Sequence, residues 1–295
     1  MAYHVGRILQ LDFSIEAVAV NTKNETADNG VLRYDLRMPT ISVEDLSRTI
    51  TDSDLLIVNP SFSNYSFGWK LPGFKISYVQ NFATYTLLDC RYDHYVAVSE
   101  FVKSFLQSVY AIDAPVIPAF INVDQIPPAS DWKSRPQFKV LPYRKGLVNL
   151  WDLSFDRLRE ILNERGCKLT FEEPLFSGRY MPQSELFEKI GRYRYLLMLS
   201  PAEGFPLVPL EAMGMGTVMI GYDGFGGRHY MQPGINCAVA PYAQIERVAE
   251  HLISLSVSPE RGLAMSLRGR ETAKRYTYDA FRQRWIEELS RIVVS

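Results

Sequence analysis

The stretch SPAEGFPLVPLEAMGMGTVMIGYDGFGG, residues 200–227, combines two glutamates, a Gly-Phe-Pro turn and a glycine-rich end. The apolar run YLLMLS at 195–200 leads into it and predicts a buried strand. PLEAMGMG then predicts a helix, and TVMIGY predicts the next strand. The stretch therefore predicts a strand–loop–helix–strand unit, which is the building block of a parallel α/β sheet.

Short apolar runs alternate with helical patterns along the rest of the chain. IEAVAVNT, DLLIVNP, FKISYVQ, HYVAVS and APVIPAF predict strands before residue 121, and FKVLPY and KLTFEE predict strands after 137. EFVKSFLQSVY predicts a helix with Ser99 as its N-cap. The Pro-rich segment 123–136 has no period and is predicted to be a linker. Two α/β halves joined by a linker predict two Rossmann-like parallel-sheet domains facing a cleft.

The composition indicates an ordinary globular protein. The 295 residues are 47% hydrophobic and 22% charged, and a net charge of −1 gives no electrostatic reason to bind nucleic acid. Cys90, Cys167 and Cys237 fit neither a disulfide framework nor a metal site, so a reducing compartment is expected. No apolar run approaches the ~20 residues that span a bilayer, and no signal-peptide core opens the chain. A cytoplasmic location follows as an expectation.

The loop PAEGFP is predicted to lie between the end of a strand and the start of a helix. Pro206 is tolerated in a first helical turn, Gly204 permits close backbone approach, and the free N–H groups there favour a phosphate. Glu203 precedes this helix and Glu211 lies slightly more than one turn inside it, so both carboxylates can point at one pocket. Ionised carboxylates accept hydrogen bonds from hydroxyl groups, so the pocket suits a sugar nucleotide. The glycines at 221–227 allow a second loop to approach, and this agreement disfavours two merely solvated glutamates.

The segment PAEGFPLVPLEAMGMGTVMI resembles the Glu-x7-Glu motif of the retaining GT-B glycosyltransferases of family 4. YDHYVAVSEFVKSFLQSVYAIDAPVIPAFINVD and GYDGFGGRHYMQPGINCAVAP resemble further segments of that family, and the resemblance covers about residues 54–295. It implies a GT-B fold with a shortened N-terminal acceptor domain at 1–122 and a linker at 123–136. A nucleotide-sugar donor domain at 137–276 follows, and a last helix at 277–295 crosses back to the first domain.

The resemblance also implies roles for single residues. Glu203 would hold hydroxyls of the donor sugar, and Glu211 would hold the ribose hydroxyls. Four neighbours complete the predicted donor-binding motif: Gly204, Phe205, Pro206 and Leu207. The backbone of the first three would lie against the sugar and the phosphates.

Arg144 and Lys145 in VLPYRKG are predicted to bind the diphosphate, because family members place an arginine and a lysine soon after the linker. Two cations just past a strand end suit a diphosphate leaving group, whose charge grows in the transition state. The two are adjacent here, whereas the family usually separates them by several residues. An exposed basic turn is the alternative interpretation.

The chain departs from the family at its N-terminal end. Family members begin with a strand and a glycine-rich loop, whereas MAYHVGRILQLDF already resembles the following helix, and Gly6 is the one glycine available to bind the donor. Gln80 and Asn81 occupy the place where many members carry a histidine, which resembles the subgroup that acts on deoxysugars. They and His229 are candidates to contact the donor sugar or the acceptor. The aromatic loop 60–74 is predicted to be an acceptor site or a packed surface loop.

The implied function is a hexosyl- or deoxyhexosyltransferase that moves a sugar from a nucleoside-diphosphate sugar to an acceptor hydroxyl with retention. The family setting is bacterial polysaccharide or glycoconjugate synthesis, with a saccharide or a lipid-linked acceptor. No metal and no other cofactor is expected, and the basic C-terminal helices could touch a membrane face. Two alternatives stay open: a non-catalytic sugar-nucleotide-binding partner of another transferase, and an enzyme that hydrolyses or epimerises a sugar nucleotide.

Overall fold

The chain forms two compact units in the computed structural model. The structure describes residues 1–21, 38–59, 68, 70–81, 92–145, 148–176 and 181–293. The first unit comprises Met1–Val98, Val102–Ile117 and Phe281–Ser295. The second unit comprises Ser99–Phe101 and Pro118–Ala280. The segment 123–136, predicted to be a linker, therefore clusters with the second unit.

The elements follow the alternation that the sequence predicts. Up to residue 117 they are α1 (Ala2–Asp12), β1 (Ala19–Asn21), β2 (Thr40–Ser42), α2 (Val43–Thr49), β3 (Leu55–Val58), β4 (Phe74–Val79), β5 (His94–Ala97) and α3 (Glu100–Tyr110). After it they are β6 (Lys139–Arg144), α4 (Val148–Glu164), β7 (Thr170–Phe171), β8 (Leu175–Phe176), α5 (Gln183–Gly191), β9 (Tyr195–Met198), α6 (Leu207–Gly214), β10 (Val218–Tyr222), β11 (Ala238–Ala240), α7 (Ile245–Val257), α8 (Pro259–Ala273) and α9 (Tyr278–Val293).

The first unit has a parallel sheet in the order β3-β4-β5 and a separate parallel pair, β1-β2. The strand predicted over 15–22 is confirmed only as β1. The strand predicted over 114–120 is wrong, because only Val116 makes a single bridge, to Ala97. Pro115 and Pro118, on either side of residues 116–117, have no N–H group to donate to a ladder.

The carboxyl end of α9 belongs to the first unit and packs on its sheet. Trp285 is fully buried, with its ring 5.2 Å from that of Tyr78 in an edge-on contact. His94, at the start of β5, has its Nε2 atom 2.9 Å from Oε1 of the buried Glu288. Arg282 donates to the carboxylate of Asp12 on α1, which fastens the two helices to each other.

The second unit has a wholly parallel sheet in the order β11-β10-β9-β6-β7, with β8 also pairing with β6. β8 and β11 are short strands that the sequence analysis does not predict. Every residue of β9 and β10 is buried, which is usual for parallel strands covered by helices on both faces. One face packs in a core that includes Trp151, Tyr195, Leu197, Val218, Ile220 and Leu252.

The segment 123–136 is fastened to the second unit by one buried arginine. Arg135 is 4% exposed and donates to the backbone oxygens of Met215 at 2.8 Å and of Gly216 and Tyr193 at 3.2 Å. A planar guanidinium has five N–H donors, so it can satisfy several carbonyl groups at once. Within the described parts of the chain, no helix is long and apolar enough to cross a membrane.

Candidate active site

The neighbouring strands β6, β9 and β10 bring three segments to one edge of the second sheet. β6 ends next to Lys145, β9 ends before the loop that carries Glu203, and β10 ends before Asp223. All three strands are parallel, so their carboxyl ends lie at the same edge. The Glu-x7-Glu motif, the basic pair and the glycine-rich turn therefore meet where the sequence predicts a site.

The helix α6 begins directly after Pro206, which is its N-cap residue and supplies no side-chain acceptor. The N–H groups of its first turn are therefore open to an external anion, and the helix dipole favours negative charge there. Pro209 lies in the same turn, where a missing N–H group breaks no helical bond.

Glu203 is fixed through both its backbone and its side chain. Its N–H group donates to Gly224 O at 2.8 Å, and its carbonyl accepts from Gly226 N at 3.0 Å, so it forms a parallel bridge with Phe225. Its Oε2 atom accepts from Lys145 Nζ at 2.9 Å. The Glu203 side chain is 12% exposed and that of Lys145 is 38% exposed. The structure thus joins two of the predicted catalytic residues in an ion pair that solvent reaches from the lysine side.

Glu211 is buried inside α6. Its Oε1 atom accepts from Gln183 Nε2 at 2.9 Å, and the residue is only 8% exposed. Burial raises the pKa of Glu211 to about 7, against the opposing effect of the Gln183 hydrogen bond. This carboxyl group therefore changes charge near neutral pH.

Tyr143 is a residue of this edge that sequence reasoning missed. Burial raises the pKa of its hydroxyl, and the charges of Glu203 and Glu211 raise it further. The hydroxyl therefore stays protonated within electrostatic reach of both glutamates. The apolar run FKVLPY makes Tyr143 resemble a core position of a strand. Its place directly before the basic pair, at a strand end, is the signal that could have identified it.

The glycine-rich turn after β10 packs its backbone on the Glu203 loop. A Cβ atom on Gly226 would lie 2.0 Å from the oxygen of Gly204, so only glycine fits there. Gly224 and Phe225 both have positive φ, at 60° and 65°. The N–H group of Gly226 donates to the oxygen of Gly224 at 2.8 Å, which closes a γ-turn around Phe225. The backbone of this second loop therefore contacts the loop that carries Glu203, and its approach to a ligand stays a prediction.

Arg144, the last residue of β6, pairs with Asp152 of the following helix α4. Its Nε atom donates to Asp152 Oδ1 at 2.8 Å, and Nη2 contacts the other oxygen of the same carboxylate. Its guanidinium also lies 5.8 Å from the ring centre of Trp151. The predicted basic pair is thus divided between two carboxylates, and diphosphate binding by Arg144 stays a prediction.

Phe205, in the loop PAEGFP that carries Glu203 (the motif loop), lies close to His229. The Phe205 ring is 5.7 Å from that of His229 and 5.3 Å from that of Tyr230. The Tyr230 hydroxyl donates to the oxygen of Pro206 at 2.6 Å and so supports the start of α6. His229 Nδ1 accepts from the N–H group of Glu100 at 3.4 Å. His229 is therefore close to the predicted donor-binding loop, and its contact with the donor sugar or the acceptor stays a prediction.

The candidates of the first unit have different surroundings. Gln80 follows β4, and its Oε1 atom accepts from Asn59 Nδ2 at 2.8 Å, while Asn81 beside it is half-buried. Gly6 lies inside α1, where a Cβ atom would meet Met38 Cε at 2.8 Å. Gly6 is thus a packing glycine of a helix and not part of a loop, and a contact with the donor stays a prediction.

Two predictions fall partly or wholly outside the described residues. Residues 60–67 and 69 of the predicted aromatic loop lie outside the described residues, and Cys90 lies outside them too. Among the described side chains, no three histidine, cysteine, aspartate or glutamate residues come together as metal ligands.

Comparisons with known proteins find one matching family for part of the second unit. Residues 175–272, about a third of the chain, match the family described as Glycosyl transferases group 1. That range contains the motif loop, α6 and the glycine-rich turn. Among the curated proteins, none matches this chain in sequence.

Solved structures are similar over larger parts of the chain. Sucrose-phosphate synthase from Thermosynechococcus elongatus is 15% identical with a TM-score of 0.68, over 98% of this chain and 92% of that one. The pneumococcal O-GlcNAc transferase GtfA, in complex with UDP and GlcNAc, is 16% identical with a TM-score of 0.61, over 84% and 58%. A mutant of S. aureus TarM, in a complex that includes UDP, is 12% identical with a TM-score of 0.58, over 73% and 50%.

These likenesses show the fold, which is GT-B. The chain spans only about half the length of the TarM chain and 58% of the GtfA chain. A group 1 domain on a GT-B fold supports a glycosyltransferase, and the reaction itself has to be argued from the site.

Proposed function

We propose that this protein transfers a hexosyl or deoxyhexosyl group from a nucleoside-diphosphate sugar to an acceptor hydroxyl. Transfer proceeds with retention at the anomeric carbon, as in family 4, without a metal ion, in bacterial polysaccharide or glycoconjugate synthesis. The acceptor is a saccharide or a lipid-linked saccharide. The observation that carries the proposal is the ion pair between Lys145 and Glu203, which lies in the loop directly before α6, together with Glu211 buried inside that helix.

The proposed reaction exchanges one bond at the anomeric carbon. The acceptor oxygen bonds to this carbon as the bond to the diphosphate oxygen breaks, and the acceptor proton passes to that departing oxygen. The diphosphate gains charge as it leaves, and fixed cations and N–H groups stabilise such charge best in a site that excludes water. Lys145 and the first turn of α6 supply that stabilisation.

Each glutamate has a separate task in this proposal. Glu203 accepts hydrogen bonds from hydroxyl groups of the donor sugar, and Glu211 accepts them from the ribose. Without ligand, the Glu203 carboxylate accepts a hydrogen bond from the Lys145 ammonium group. A bound diphosphate offers this ammonium group a second anionic partner and leaves Glu203 available to the sugar.

Binding and turnover test the proposal together. Thermal shifts with UDP, GDP, dTDP, ADP and their sugar conjugates in EDTA should identify one base, because a ligand of the native state raises the melting temperature. The selected conjugate is then offered with saccharide acceptors, and the anomeric configuration of the product is read by NMR. An inverted product or a strict need for metal would contradict the corresponding part of the proposal.

Replacing Lys145 should lower kcat more than replacing Arg144. Lys145→Ala should lower kcat by about 100-fold, the usual effect of removing one stabilising group from a developing charge. Arg144→Ala should lower it by less than tenfold, since its guanidinium is held on Asp152. Lys168→Ala, on an exposed lysine outside the site, is the control.

The division of the basic pair also favours a second candidate, a non-catalytic sugar-nucleotide-binding partner of another transferase. Both cations already face carboxylates, which weakens the field on a departing diphosphate. This candidate predicts binding of a nucleotide sugar with no transfer to any acceptor. Nucleotide-sugar breakdown at a useful rate without acceptor would instead indicate a hydrolase.

A further inference from the structure

Asp223 is a buried carboxylate directly after β10 that the proposed reaction does not use. It is 8% exposed, and each of its side-chain oxygens has a partner. Oδ1 accepts from the N–H group of Phe225 at 2.8 Å, and Oδ2 accepts from Arg228 Nε at 2.7 Å. Its own carbonyl accepts from Gly227 N at 3.0 Å. Asp223 therefore accepts hydrogen bonds from three residues of the glycine-rich turn: Phe225, Gly227 and Arg228.

The turn that Asp223 holds is strained. Phe225 has φ 65° and ψ −59°, which a residue with a side chain rarely adopts. Such conformations persist only where the surroundings hold them, and they cluster at functional sites. Asp223 holds the Phe225 N–H group, and the guanidinium of Arg228 lies 4.9 Å from the centre of the Phe225 ring. The Asp223–Arg228 pair thus fixes this residue from its backbone and from its ring.

The same turn determines where Glu203 lies. Gly224 O accepts from Glu203 N, and Gly226 N donates to Glu203 O, so the residues on either side of Phe225 hold both backbone groups of the glutamate. A Cβ atom on Gly224 would lie 3.1 Å from the Cβ atom of Glu203, which shows how closely the two chains approach. A shift of the turn would therefore move Glu203 and its contact with Lys145.

We propose that Asp223 is a positioning residue for Glu203: through the Phe225 turn and Arg228 it holds the catalytic carboxylate against Lys145. The inference rests on the proposed function. It assigns Asp223 no contact with the substrate, and its effect on the reaction runs through Glu203. Displacements of about 1 Å in a catalytic group can lower a rate by about 100-fold, so a small relaxation of the turn suffices.

Three variants and a control test this role. Asp223→Ala removes both contacts, Asp223→Asn keeps an amide oxygen for the Phe225 N–H group, and Arg228→Gln removes the cation. We expect kcat to fall by about 10- to 100-fold in Asp223→Ala and by less in the other two. The affinity for the bare nucleoside diphosphate should change by less than about threefold, because Glu211 and α6 remain. Arg135→Met, which loosens the second unit elsewhere, should lower the melting temperature and leave kcat unchanged well below it.

A double-mutant cycle separates positioning from general loss of structure. In a Glu203→Gln background, Asp223→Ala should have little further effect on kcat, because residues that act as a unit are not additive. Two results would overturn the inference. Asp223→Ala could lower kcat by the same factor in both backgrounds, or its kcat in the parent background could equal that of the parent. A parent that neither binds nor turns over any nucleotide sugar would contradict the proposed function. If the parent turns over a nucleotide sugar and Asp223→Ala has the same kcat, only the inference about Asp223 is contradicted.

Discussion

The carboxyl edges of the two sheets differ in charge. In the first unit, Asn59 after β3 and Gln80 after β4 form a neutral amide pair. In the second unit, the ends of β6, β9 and β10 lead to Lys145, Glu203 and Asp223, and each of these has an oppositely charged partner. Charged groups removed from water need such partners, whereas a neutral amide pair needs only a hydrogen bond. Among the described residues, the carboxyl edge of the second unit's sheet, called the second edge below, thus carries the arrangement suited to a charged ligand.

Replacing Glu203 should have the largest effect on turnover. Glu203→Ala leaves Lys145 without its carboxylate and removes the acceptor for sugar hydroxyls, so we expect kcat/KM to fall by about 100- to 1,000-fold. Affinity for the bare nucleoside diphosphate should stay near that of the parent, because Glu211 remains. Steady-state kinetics and calorimetry measure the two effects. Glu188→Ala, in an exposed pair on α5, is the control.

Replacing Gly226 should break the second edge by steric conflict. Its new Cβ atom would meet the backbone oxygen of Gly204, which cannot yield as a flexible side chain can. We expect Gly226→Ala to destabilise the fold by about 3 kcal/mol and to lower activity. Gly234→Ala is the control, because that glycine has a positive φ but has open space around it. Its cost should be about 1 kcal/mol, from the backbone conformation alone. Equal melting temperatures for the two variants would contradict the close packing of the loops.

Replacing Glu211 should change how stability depends on pH. Burial raises the pKa of this carboxyl group from an ordinary 4.5 to about 7, so the folded chain keeps a proton that the unfolded chain releases. Stability from this group is therefore present below pH 4.5 and is lost as the pH rises through 7, by about 3 kcal/mol. Glu211→Gln cannot titrate. Denaturant unfolding of both proteins from pH 4 to 8 should show the loss in the parent only.

The same variant tests the ribose contact. Ribose hydroxyls donate to the ionised carboxylate, so nucleoside-diphosphate binding by the parent should tighten as the pH rises past 7. Glu211→Gln should bind more weakly at pH 8, by about tenfold for one lost charged hydrogen bond, and without this pH dependence. Equal affinities at every pH would show that the ribose lies elsewhere.

Replacing Gln80 should have the smallest effect of the four. It removes a neutral hydrogen bond, which contributes about 0.5–1.5 kcal/mol, so a contact with the sugar or the acceptor accounts for at most about a tenfold rise in KM. Nucleoside-diphosphate affinity should not change in Gln80→Ala. Initial rates at varied acceptor concentration give the KM. A kcat loss as large as that of Glu203→Ala would end the contrast between the two edges.

The sequence predicts the second edge well because its signals are local. The strand before Glu203, the prolines at the start of α6 and the glycines at 221–227 are neighbours along the chain, and each restricts the backbone directly. Most of the strands follow in the same way from apolar runs bounded by polar residues. APVIPAF has a strand-like composition, but its prolines prevent ladder pairing.

The features that the sequence does not predict depend on which side chains meet in space. Arg144 faces Asp152 because α4 turns that carboxylate back toward the strand end, and no pattern in VLPYRKG indicates it. Asp223 looks like a turn residue, and only the structure shows that its carboxylate joins Phe225 to Arg228. The strands β8 and β11 are too short for any periodicity to appear.

In our proposal the second edge binds a nucleotide sugar, and its two glutamates have separate tasks. Calorimetric titration in EDTA of the parent, Glu203→Gln and Glu211→Gln, each with one nucleoside diphosphate and its sugar conjugate, tests it most directly. We predict that Glu211→Gln weakens both ligands. Glu203→Gln should weaken only the conjugate, so the affinity gained from the sugar disappears. Two variants that bind both ligands as tightly as the parent would contradict the proposal.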